Sequence, residues 1–586
     1  MYIFSVNYYQ FIKKEVTLAK LNMCLKIPEI PGKITRKVVR GGTYIYYEIG
    51  KEYLPERGYA IPRRVGIGTV NPDGSMTPND NFAKFLPEFL PTSRNRSKVS
   101  ACLRVGSFFV VRKIIRDYEL EDKLGREFNY AELMLFLDLV AYSLISEDNA
   151  AQHYPDYAYN HPIFADGMKR YSDTKVSAFF KSITFEQIAG FLGTWNKGRD
   201  RKERIYVSYD ATNKNCQGGE ISVAEYGHAK DDCSEPIFNY AIAYDQDNCE
   251  PLFYEEYSGS VVDVSQLQFM VSKAVGYGYR NIGFVLDRGY FSKANIQLMD
   301  SLKLPYVMVV KGMHSLVYEI VGKLRGKFEH DRKCFVSEYR AYGRTVKRKL
   351  YAEDDCEKYF HVFYSIDRAH REQDKLEELL DNARRFMERQ ENSVVEFSQW
   401  HHKFFDIVYD KVSKVFLYAK EKEDVISREL DLCGYFTIVT SEKMTAAEAL
   451  RIYKGRDSTE KLFRADKSFL GNQSMRVYSD ESISAKIFVE FVALIIRNRM
   501  HFYLKNANLK NPRKRNFMNV PSAIRELEKI EMIRRADGMY MLDHAVTATQ
   551  KEILAAFGLD ENFVKENAAE LSGEIAQMEK EAANED

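Results

Sequence analysis

The chain has 586 residues, of which 45% are hydrophobic and 29% are charged, and its formal net charge is +1. This length indicates two to four domains, and the composition excludes wholesale disorder. A net charge near zero excludes a uniformly basic nucleic-acid-binding protein, although local basic patches can still bind phosphates. The eight cysteines include no C-x-x-C pair, so a reducing cytoplasm is expected rather than a zinc ribbon or a disulfide framework.

Residues 1–91 are predicted to be an N-terminal β-rich segment, because "GGTYIYYEI" and "RRVGIGTV" are rich in strand-forming residues. Residues 92–200 are predicted to be helical, with apolar residues three and four apart in "NYAELMLFLDLVAYSLI". Basic clusters at 93–98 and 196–204 flank this region. Charge runs are most often solvated faces, but two around a helical unit favour a DNA-binding region.

Residues 201–311 alternate strands and helices. Three adjacent strands, "RIYVSYD", "IFNYAIAYD" and "EPLFYEEYSG", are followed by a crossover helix and then by the strands "NIGFVLD" and "PYVMVVK". The first strand is predicted to end at Asp210. This order is typical of the first part of an α/β RNase H-like core.

The next 121 residues, 312–432, mix β-rich pieces with the highly charged helix "REQDKLEELLDNARRFMERQ" and are predicted to be an inserted domain. Residues 433–505 then form the second part of the core. The C-terminal region, residues 506–586, is predicted to be helical and to serve dimerisation or DNA contacts. The longest apolar run, "IFVEFVALII", is interrupted by Glu490 and is too short to span a bilayer.

Three carboxylates could meet in this core. Asp210 and Asp287 follow neighbouring predicted strands, and Glu460 lies on a helix after the insertion. Three oxygen donors suit Mg²⁺ or Mn²⁺ rather than zinc, and two such ions can activate a water or a 3′-hydroxyl and stabilise the leaving oxygen of a phosphodiester. Singly, an aspartate after a strand is usually a turn residue and a helical glutamate is usually a solvated surface residue. The ordered set is what favours a metal site.

The helix that carries Glu460 begins with a capping box formed by Thr445 and Glu448. Its residues Tyr453, Arg456, Glu460 and Lys467 fall within an arc of about 60° on a 3.6-residue helix. Such a stripe could follow a nucleic-acid strand across a metal site, or it could be an ordinary charged helix face with incidental ion pairs. Gly455 costs the helix about 1 kcal/mol relative to alanine, which the close approach of a backbone or a ligand could justify.

The segment "IYKGRDSTEKLFRADK" resembles the Y-x2-R-x3-E-x6-K signature of DDE-type insertion-sequence transposases of the insertion-sequence four (YREK) superfamily. "VSYDATN" and "VLDRGYFS" resemble the segments around the first and second aspartates of that family. The resemblance covers roughly residues 200–500. The segment "ATNKNCQGG" after Asp210 is more polar than the family pattern, and neither Asn213 nor Asn215 can be assigned a role.

The resemblance implies that Asp210, Asp287 and Glu460 are the catalytic metal ligands, for Mg²⁺ with Mn²⁺ as a substitute. It implies DNA contacts by a second set of residues: Tyr453, Arg456, Lys467, Arg288 and, stacking on a flipped base, Trp400. A core position for this tryptophan is an equal alternative. The implied partners are double-stranded DNA, as terminal inverted repeats and target, and a second copy of the chain. The implied location is the cytoplasm of a bacterial or archaeal cell.

Two alternatives differ in function class. A domesticated transposase-derived DNA-binding protein would have no use for three clustered carboxylates. An RNase H-like metal-dependent DNA nuclease would not need the full YREK stripe. Short inverted repeats flanking the gene would distinguish a transposase from both.

Overall fold

The computed structural model describes residues 21–585 except for 22, 40, 56–57, 91–98, 198–203, 217–220, 227–234, 262, 459, 462, 464–466, 468–473, 476, 478 and 512–514. For residues 263–264, 314, 474 and 582–585 it describes the backbone alone. The chain divides into two compact units. Unit 1 comprises residues 1–116, 152–172 and 503–586, and unit 2 comprises residues 117–151 and 173–502.

The strands in chain order are β1 (Ile34–Val39), β2 (Gly42–Leu54), β3 (Tyr59–Val70), β4 (Met76–Pro78), β5 (Cys102–Arg104), β6 (Ile205–Cys216), β7 (Ile237–Asp245), β8 (Glu250–Ser258), β9 (Ile282–Leu286), β10 (Tyr306–Val309), β11 (Phe335–Val336), β12 (Ala341–Arg348), β13 (Lys358–Tyr364), β14 (Phe405–Tyr409), β15 (Phe416–Glu421), β16 (Tyr435–Thr440), β17 (Ser474–Met475), β18 (Glu531–Arg534) and β19 (Tyr540–Leu542).

The α-helices are α1 (Asp80–Phe85), α2 (Gly106–Asp117), α3 (Leu120–Leu124), α4 (Tyr130–Ser146), α5 (Tyr154–Asn160), α6 (Asp173–Ser182), α7 (Phe185–Lys197), α8 (Asp263–Gly276), α9 (Lys293–Ser301), α10 (His314–Leu324), α11 (Ile366–Glu388), α12 (Gln399–Phe404), α13 (Glu423–Leu432), α14 (Ala446–Gly455), α15 (Asp480–Lys510), α16 (Val520–Leu527), α17 (Ala548–Ala556) and α18 (Glu561–Glu585). Among the helices so described, none combines the length and the hydropathy needed to cross a bilayer.

Unit 1 contains two small sheets. The first has the order β1-β2-β3-β4 and packs its inner face, with Ile45 and Ile67, against Phe82 of α1. Strands β2 and β3 overlap the segments "GGTYIYYEI" and "RRVGIGTV". The second has the order β19-β18-β5 and joins residues 102–104 to the C-terminal region. The C-terminal region, predicted to be helical, therefore also contributes strands.

Unit 2 is built on a ten-stranded mixed sheet whose main path has the order β11-β12-β13-β16-β10-β9-β6-β7-β8. Strands β6, β7 and β8 are antiparallel neighbours, whereas β9 pairs in parallel with both β6 and β10. Along the chain, strands β6 to β10 and the helices between them occur in the sequence predicted for residues 201–311. Helix α15, with the buried Phe488 and Phe491, contributes to the core of this unit.

Strand β6 departs from the prediction, because it does not end at Asp210. It continues to Cys216, pairing with β7 as far as Asn215. Its last two residues also pair in parallel with β17. Residues 211–216 of the polar segment after Asp210 are thus part of a buried strand.

The segment 312–432, predicted to be an inserted domain, lies in two places. Strands β11, β12 and β13 extend the main sheet, since β13 pairs with β16, which pairs in turn with β10. A second part, from α11 to α13 with the β14–β15 hairpin, has its own small core around Phe397, Phe405 and Phe416. The region 92–200, predicted as one helical region, is divided between the two units.

Candidate active site

The two aspartates of the predicted triad lie side by side. In the parallel pairing of β6 with β9, Tyr209 is opposite Leu286, so the next residues, Asp210 and Asp287, occupy adjacent positions. The backbone N–H of Ala211 donates a 2.9 Å hydrogen bond to Oδ1 of Asp210. Strands β6 and β9 are almost entirely buried and hold this position firmly.

Helix α14 brings the third group of residues to the same place. Its capping box has the predicted form: Thr445 Oγ1 accepts from the N–H of Glu448 at 3.2 Å, and the N–H of Thr445 donates to Oε2 of Glu448 at 2.8 Å. The helix ends at Gly455, where the N–H of Arg456 donates to the carbonyl of Tyr453 at 3.2 Å. The described residues from 457 to 467 are again helical, Glu460 and Lys467 among them.

The guanidinium of Arg456 is the point at which the three carboxylates meet. Its Nη1 lies 3.6 Å from Oδ2 of Asp210 and 3.6 Å from Oδ1 of Asp287. Its Nη2 lies 2.6 Å from Oε1 of Glu460. The Arg456 side chain is 13% exposed, whereas Glu460 is 50% exposed at the solvent side of the cluster. Three carboxylates face one guanidinium, so the cluster carries excess negative charge.

Burial and the charges of this cluster shift the pKa values of Arg456 and Tyr453. Burial alone would lower the pKa of Arg456, but the carboxylates of Asp287, Asp210 and Glu460 together with Tyr453 raise it. Burial raises the pKa of Tyr453, whose ring lies 5.7 Å from the Arg456 guanidinium carbon. The arginine therefore keeps its charge and the tyrosine keeps its proton at neutral pH.

Gln246, in the turn after β7, fixes the end of α14. With its side-chain amide oriented for pairing, the nitrogen donates to the carbonyl of Ile452 at 2.9 Å and the oxygen accepts from the N–H of Arg456 at 3.0 Å. The same oxygen accepts from Ser208 on β6. A Cβ at Gly455 would lie 2.4 Å from the Gln246 side chain, so a larger residue there would displace this amide. The group that approaches Gly455 closely is therefore this side-chain amide, whereas the sequence suggested a backbone or a ligand.

A cleft of about 460 Å³ opens beside Asp287 and Arg456. Four further basic residues line it, and they come from three parts of unit 2: Arg288, Arg368, Arg371 and Lys454. Arg288 was a sequence prediction. The sequence does not single out Arg368 or Arg371, since the pattern of α11 indicates only a highly charged helix. Their three-residue spacing on one helix face is the signal that could have found them.

The other predicted DNA contacts lie in different surroundings. Tyr453 packs partly buried against the core cluster around Leu450, on the wall of the cleft. Lys467 is half-buried on the helical segment after α14. Trp400 packs partly buried against the core of the α11–α13 segment, with its ring 4.9 Å from that of Phe404. The core alternative for Trp400 accounts for these contacts.

The polar residues after Asp210 form a buried network. Lys214 Nζ lies 3.0 Å from Oε2 of Glu490 on α15, with side-chain exposures of 0% and 2%. Asn213 donates through its side-chain amide to Asn239 on β7 at 2.5 Å. These pairs explain both the unusual polarity of "ATNKNC" and the single charge within the apolar run of α15.

The carboxylates fit a divalent cation by chemistry, since all three supply hard oxygen donors and their charge exceeds that of the one arginine. As they stand, however, they are spaced around the guanidinium. Among the described residues, no group of three or more His, Cys, Asp or Glu side chains is arranged to hold a metal ion. Arg456 would have to move aside for a cation to contact all three.

A buried mixed sheet thus presents two adjacent aspartates, and a later helix adds an arginine and a glutamate, which defines a carboxylate site in an α/β protein. Residues 205–496 match the sequence family described as the transposase DDE domain. This match supports a DDE transposase, and it spans all three carboxylates and Arg456. Enzymes of that family generally use divalent metal ions.

Solved structures give a weaker likeness. One is the piggyBac transposase synaptic complex with hairpin DNA, which shares 9% identity over 68% of this chain and 80% of that chain, with a TM-score of 0.31. A TM-score of that size carries no argument about fold or function. No protein with a curated description matches the sequence.

Proposed function

We propose that this protein is a DNA transposase of the insertion-sequence type, which cleaves the ends of a mobile element and joins them to target DNA. The observation that carries the proposal is the convergence of Asp210, Asp287 and Glu460 on Arg456 within the segment that matches the DDE domain. The order of strands around Asp210 and Asp287 supports an RNase H-like core. The YREK spacing of Tyr453, Arg456, Glu460 and Lys467 supports the insertion-sequence four superfamily.

In this proposal the carboxylates of Asp210, Asp287 and Glu460 would hold Mg²⁺, or Mn²⁺ as a substitute. Bound as a pair, such ions would activate the attacking hydroxyl and stabilise the leaving oxygen of a phosphodiester. Arg456 is placed to pair with a DNA phosphate once it leaves the carboxylates, because a guanidinium can grip a phosphate bidentately. Tyr453, Lys467 and Arg288 would hold the same strand, and a homodimer would pair the two ends.

The first prediction is a loss of cleavage without a loss of DNA binding. Asp210→Ala, Asp287→Ala and Glu460→Ala should each abolish strand cleavage in Mg²⁺ and leave binding to the DNA end largely intact, because carboxylates serve the ions and basic residues serve the phosphates. The measurement is single-turnover cleavage of labelled DNA taken from the sequences that flank the gene.

Asp374→Ala is the matched control, since Asp374 is an exposed aspartate on α11 that does not line the cleft. It should cleave like the unchanged protein. Near-normal cleavage by any one of the three active-site variants would remove that residue from the metal site. Cleavage of the flanking DNA without joining to a second duplex would favour the nuclease, and binding without cleavage would favour the domesticated DNA-binding protein.

A further inference from the structure

A second cleft lies at the other end of α14. We call it the β12 cleft; it is lined by residues of β11 and β12, by the residues before β11, and by the start of α14, and its volume is about 560 Å³. Four basic residues line it, Lys333, Arg344, Lys347 and Lys443, and no acidic residue is among the described residues of its lining. The charge comes from three separate segments of the chain that converge on one concave surface.

Most of this charge is uncompensated. Lys347 pairs with Glu357 at 3.5 Å. For Lys333, Arg344 and Lys443, no carboxylate of the described residues lies within ion-pair distance, and all three side chains are exposed. Elsewhere on this unit, basic side chains are commonly paired, as Arg348 is with Glu319 and Arg325 with Asp431. A concave surface with several unpaired cations favours a polyanion.

The β12 cleft and the candidate active site share the same two elements. Gly343 of β12 and Ala446 of α14 approach so closely that a Cβ at Gly343 would lie 2.9 Å from that of Ala446. The cleft beside Arg456 includes Ala341 and Leu450, the next inward residue of β12 and the next turn of α14. Strand and helix are therefore packed rigidly together, with one basic cleft on each side of their closest approach.

The distance between the clefts suits a DNA strand. From Ala446 to Arg456 the helix rises about 15 Å, at roughly 1.5 Å per residue. A DNA strand advances about 3.4 Å per nucleotide along the duplex axis. Successive phosphates of one strand lie farther apart than this axial rise, because the strand also winds around the axis. A strand whose reactive phosphate lay at Arg456 and that followed α14 would therefore place phosphates a few nucleotides away beside the β12 cleft.

We propose that the β12 cleft binds the backbone phosphates of the reacting DNA strand, a few nucleotides from the phosphate at the candidate active site. This inference rests on the proposed function, because it takes its partner from that function. The contact is to phosphates rather than bases, so it positions the strand for any sequence. Lys333, Arg344 and Lys443 are the residues that would contact these phosphates.

The test compares a cleft variant with a matched variant of equal charge. Lys333→Gln, Arg344→Gln and Lys443→Gln are combined in the first; Lys375→Gln, Lys411→Gln and Lys420→Gln, three exposed cations of the α11–α13 segment, are combined in the second. Affinity for the flanking DNA is measured over a range of salt concentrations. The cleft variant should lower the salt slope by about one to three units, since each phosphate contact contributes about 0.9, and the matched variant should leave it unchanged.

A second measurement locates the contact without any substitution and so does not depend on the folding of a variant. Neutral methylphosphonate linkages are placed one at a time along the reacting strand. Binding by the unchanged protein should weaken when the neutral linkage lies at particular positions a few nucleotides from the cleavage site, and the cleft variant should be insensitive to the same linkages. Equal salt slopes in the two variants, or no loss of binding at those linkages, would overturn the proposed role of the β12 cleft. The proposed function would still stand in that case, provided that the unchanged protein cleaved the DNA. Failure of the unchanged protein to cleave would overturn both.

Discussion

Arg456 is the residue on which the candidate site depends most directly. Its guanidinium contacts Asp210, Asp287 and Glu460, and its backbone N–H is held by Gln246. In this position the arginine offsets the mutual repulsion of the carboxylates. A divalent cation would take over that role, and the freed guanidinium would become available to a phosphate. In the proposed function, Arg456 would therefore couple the three carboxylates to the DNA strand.

The prediction for the stripe follows from this coupling. Arg456→Ala and Lys467→Ala should fold normally and lose on the order of 100-fold in cleavage rate, because a small misplacement of the phosphate has that effect on rate. Arg456→Lys should restore only part of the activity, since an ammonium lacks the guanidinium fork. Tyr453→Phe should be milder than Tyr453→Ala, because the ring packs against the core around Leu450. Single-turnover cleavage is the measurement, with melting temperature as the folding control.

Arg451→Ala provides the comparison on the same helix. Arg451 is exposed and pairs with Glu338 at 3.5 Å, so its loss should change stability by a few tenths of a kcal/mol and leave the cleavage rate unchanged. If Arg456→Ala and Lys467→Ala behaved like Arg451→Ala, the stripe would be an ordinary charged helix face.

Gln246 shows where residue-level reasoning from the sequence stops. The glycine in the helix indicates that something approaches closely at Gly455, because glycine is otherwise costly there. It cannot identify the partner, which lies 209 positions earlier in a turn with no motif of its own. Asp210 and Asp287 were predictable because each lies next to a local strand pattern, although only Asp287 follows the end of its strand. The parallel pairing of β6 with β9 makes the two aspartates neighbours.

Strand β6 shows that reasoning from the local sequence has the same limit for secondary-structure elements. Its first half, Ile205 to Asp210, has the apolar pattern of a buried strand and was predicted. Its second half, "ATNKNC", has the composition of a turn, yet it is buried because Lys214 and Asn213 find partners on α15 and β7. A local pattern cannot reveal that a lysine will be compensated by a glutamate 276 residues later.

Strands β12 and β13 could be predicted as strands but not as members of the main sheet. Their sequences, like "YFHVFYS", indicate strands of ordinary length. Which sheet they join is decided by β16, whose register pairs Thr440 with Tyr359 on one side and with Val307 on the other. That choice depends on long-range pairing, for which the sequence between them holds no local signal.

The buried pair between β6 and α15 leads to a prediction about stability. Lys214→Met should destabilise the protein by about 3–5 kcal/mol, because it leaves Glu490 buried without its counter-charge. The double variant Lys214→Met/Glu490→Leu should recover most of that loss, since an apolar pair of similar volume fits a buried site. Urea unfolding of both single variants and the double variant, arranged as a double-mutant cycle, measures the coupling.

Arg384→Ala serves as the exposed comparison, because Arg384 pairs with Asp381 at 2.8 Å with both side chains 53% exposed. Its loss should change stability by less than about 1 kcal/mol. A double variant no more stable than Lys214→Met alone would show that the pair acts through something other than compensated charge.

At the scale of the whole molecule, a net charge of +1 requires that DNA binding use concentrated basic surfaces. Unit 2 supplies two such surfaces, the cleft beside Arg456 and the β12 cleft. The sequence contains two further basic clusters, "SRNRSK" at 93–98 and "KNPRKR" at 510–515, which are candidates for the same role. Arg94, Arg96, Lys98, Arg513 and Lys514 lie outside the described residues, as does the greater part of the cluster at 196–204. Arg515 is described, with its Nε 3.6 Å from Oε2 of Glu552 in unit 1.

The last prediction assigns these two sequence clusters to DNA-end binding. Neutralising Arg94, Arg96 and Lys98 together, or Arg513, Lys514 and Arg515 together, should weaken binding to the flanking DNA and lower its salt slope by nearly one unit per lost phosphate contact. The rate of cleavage at saturating protein should change little, because neither cluster supplies a ligand of the candidate active site. Filter binding over a salt series, with cleavage measured in parallel, separates the two effects. Unchanged salt slopes in both triple variants would show that the DNA contacts lie on other surfaces. A lower cleavage rate with unchanged affinity would show that the clusters act in the cleavage step rather than in binding the DNA end.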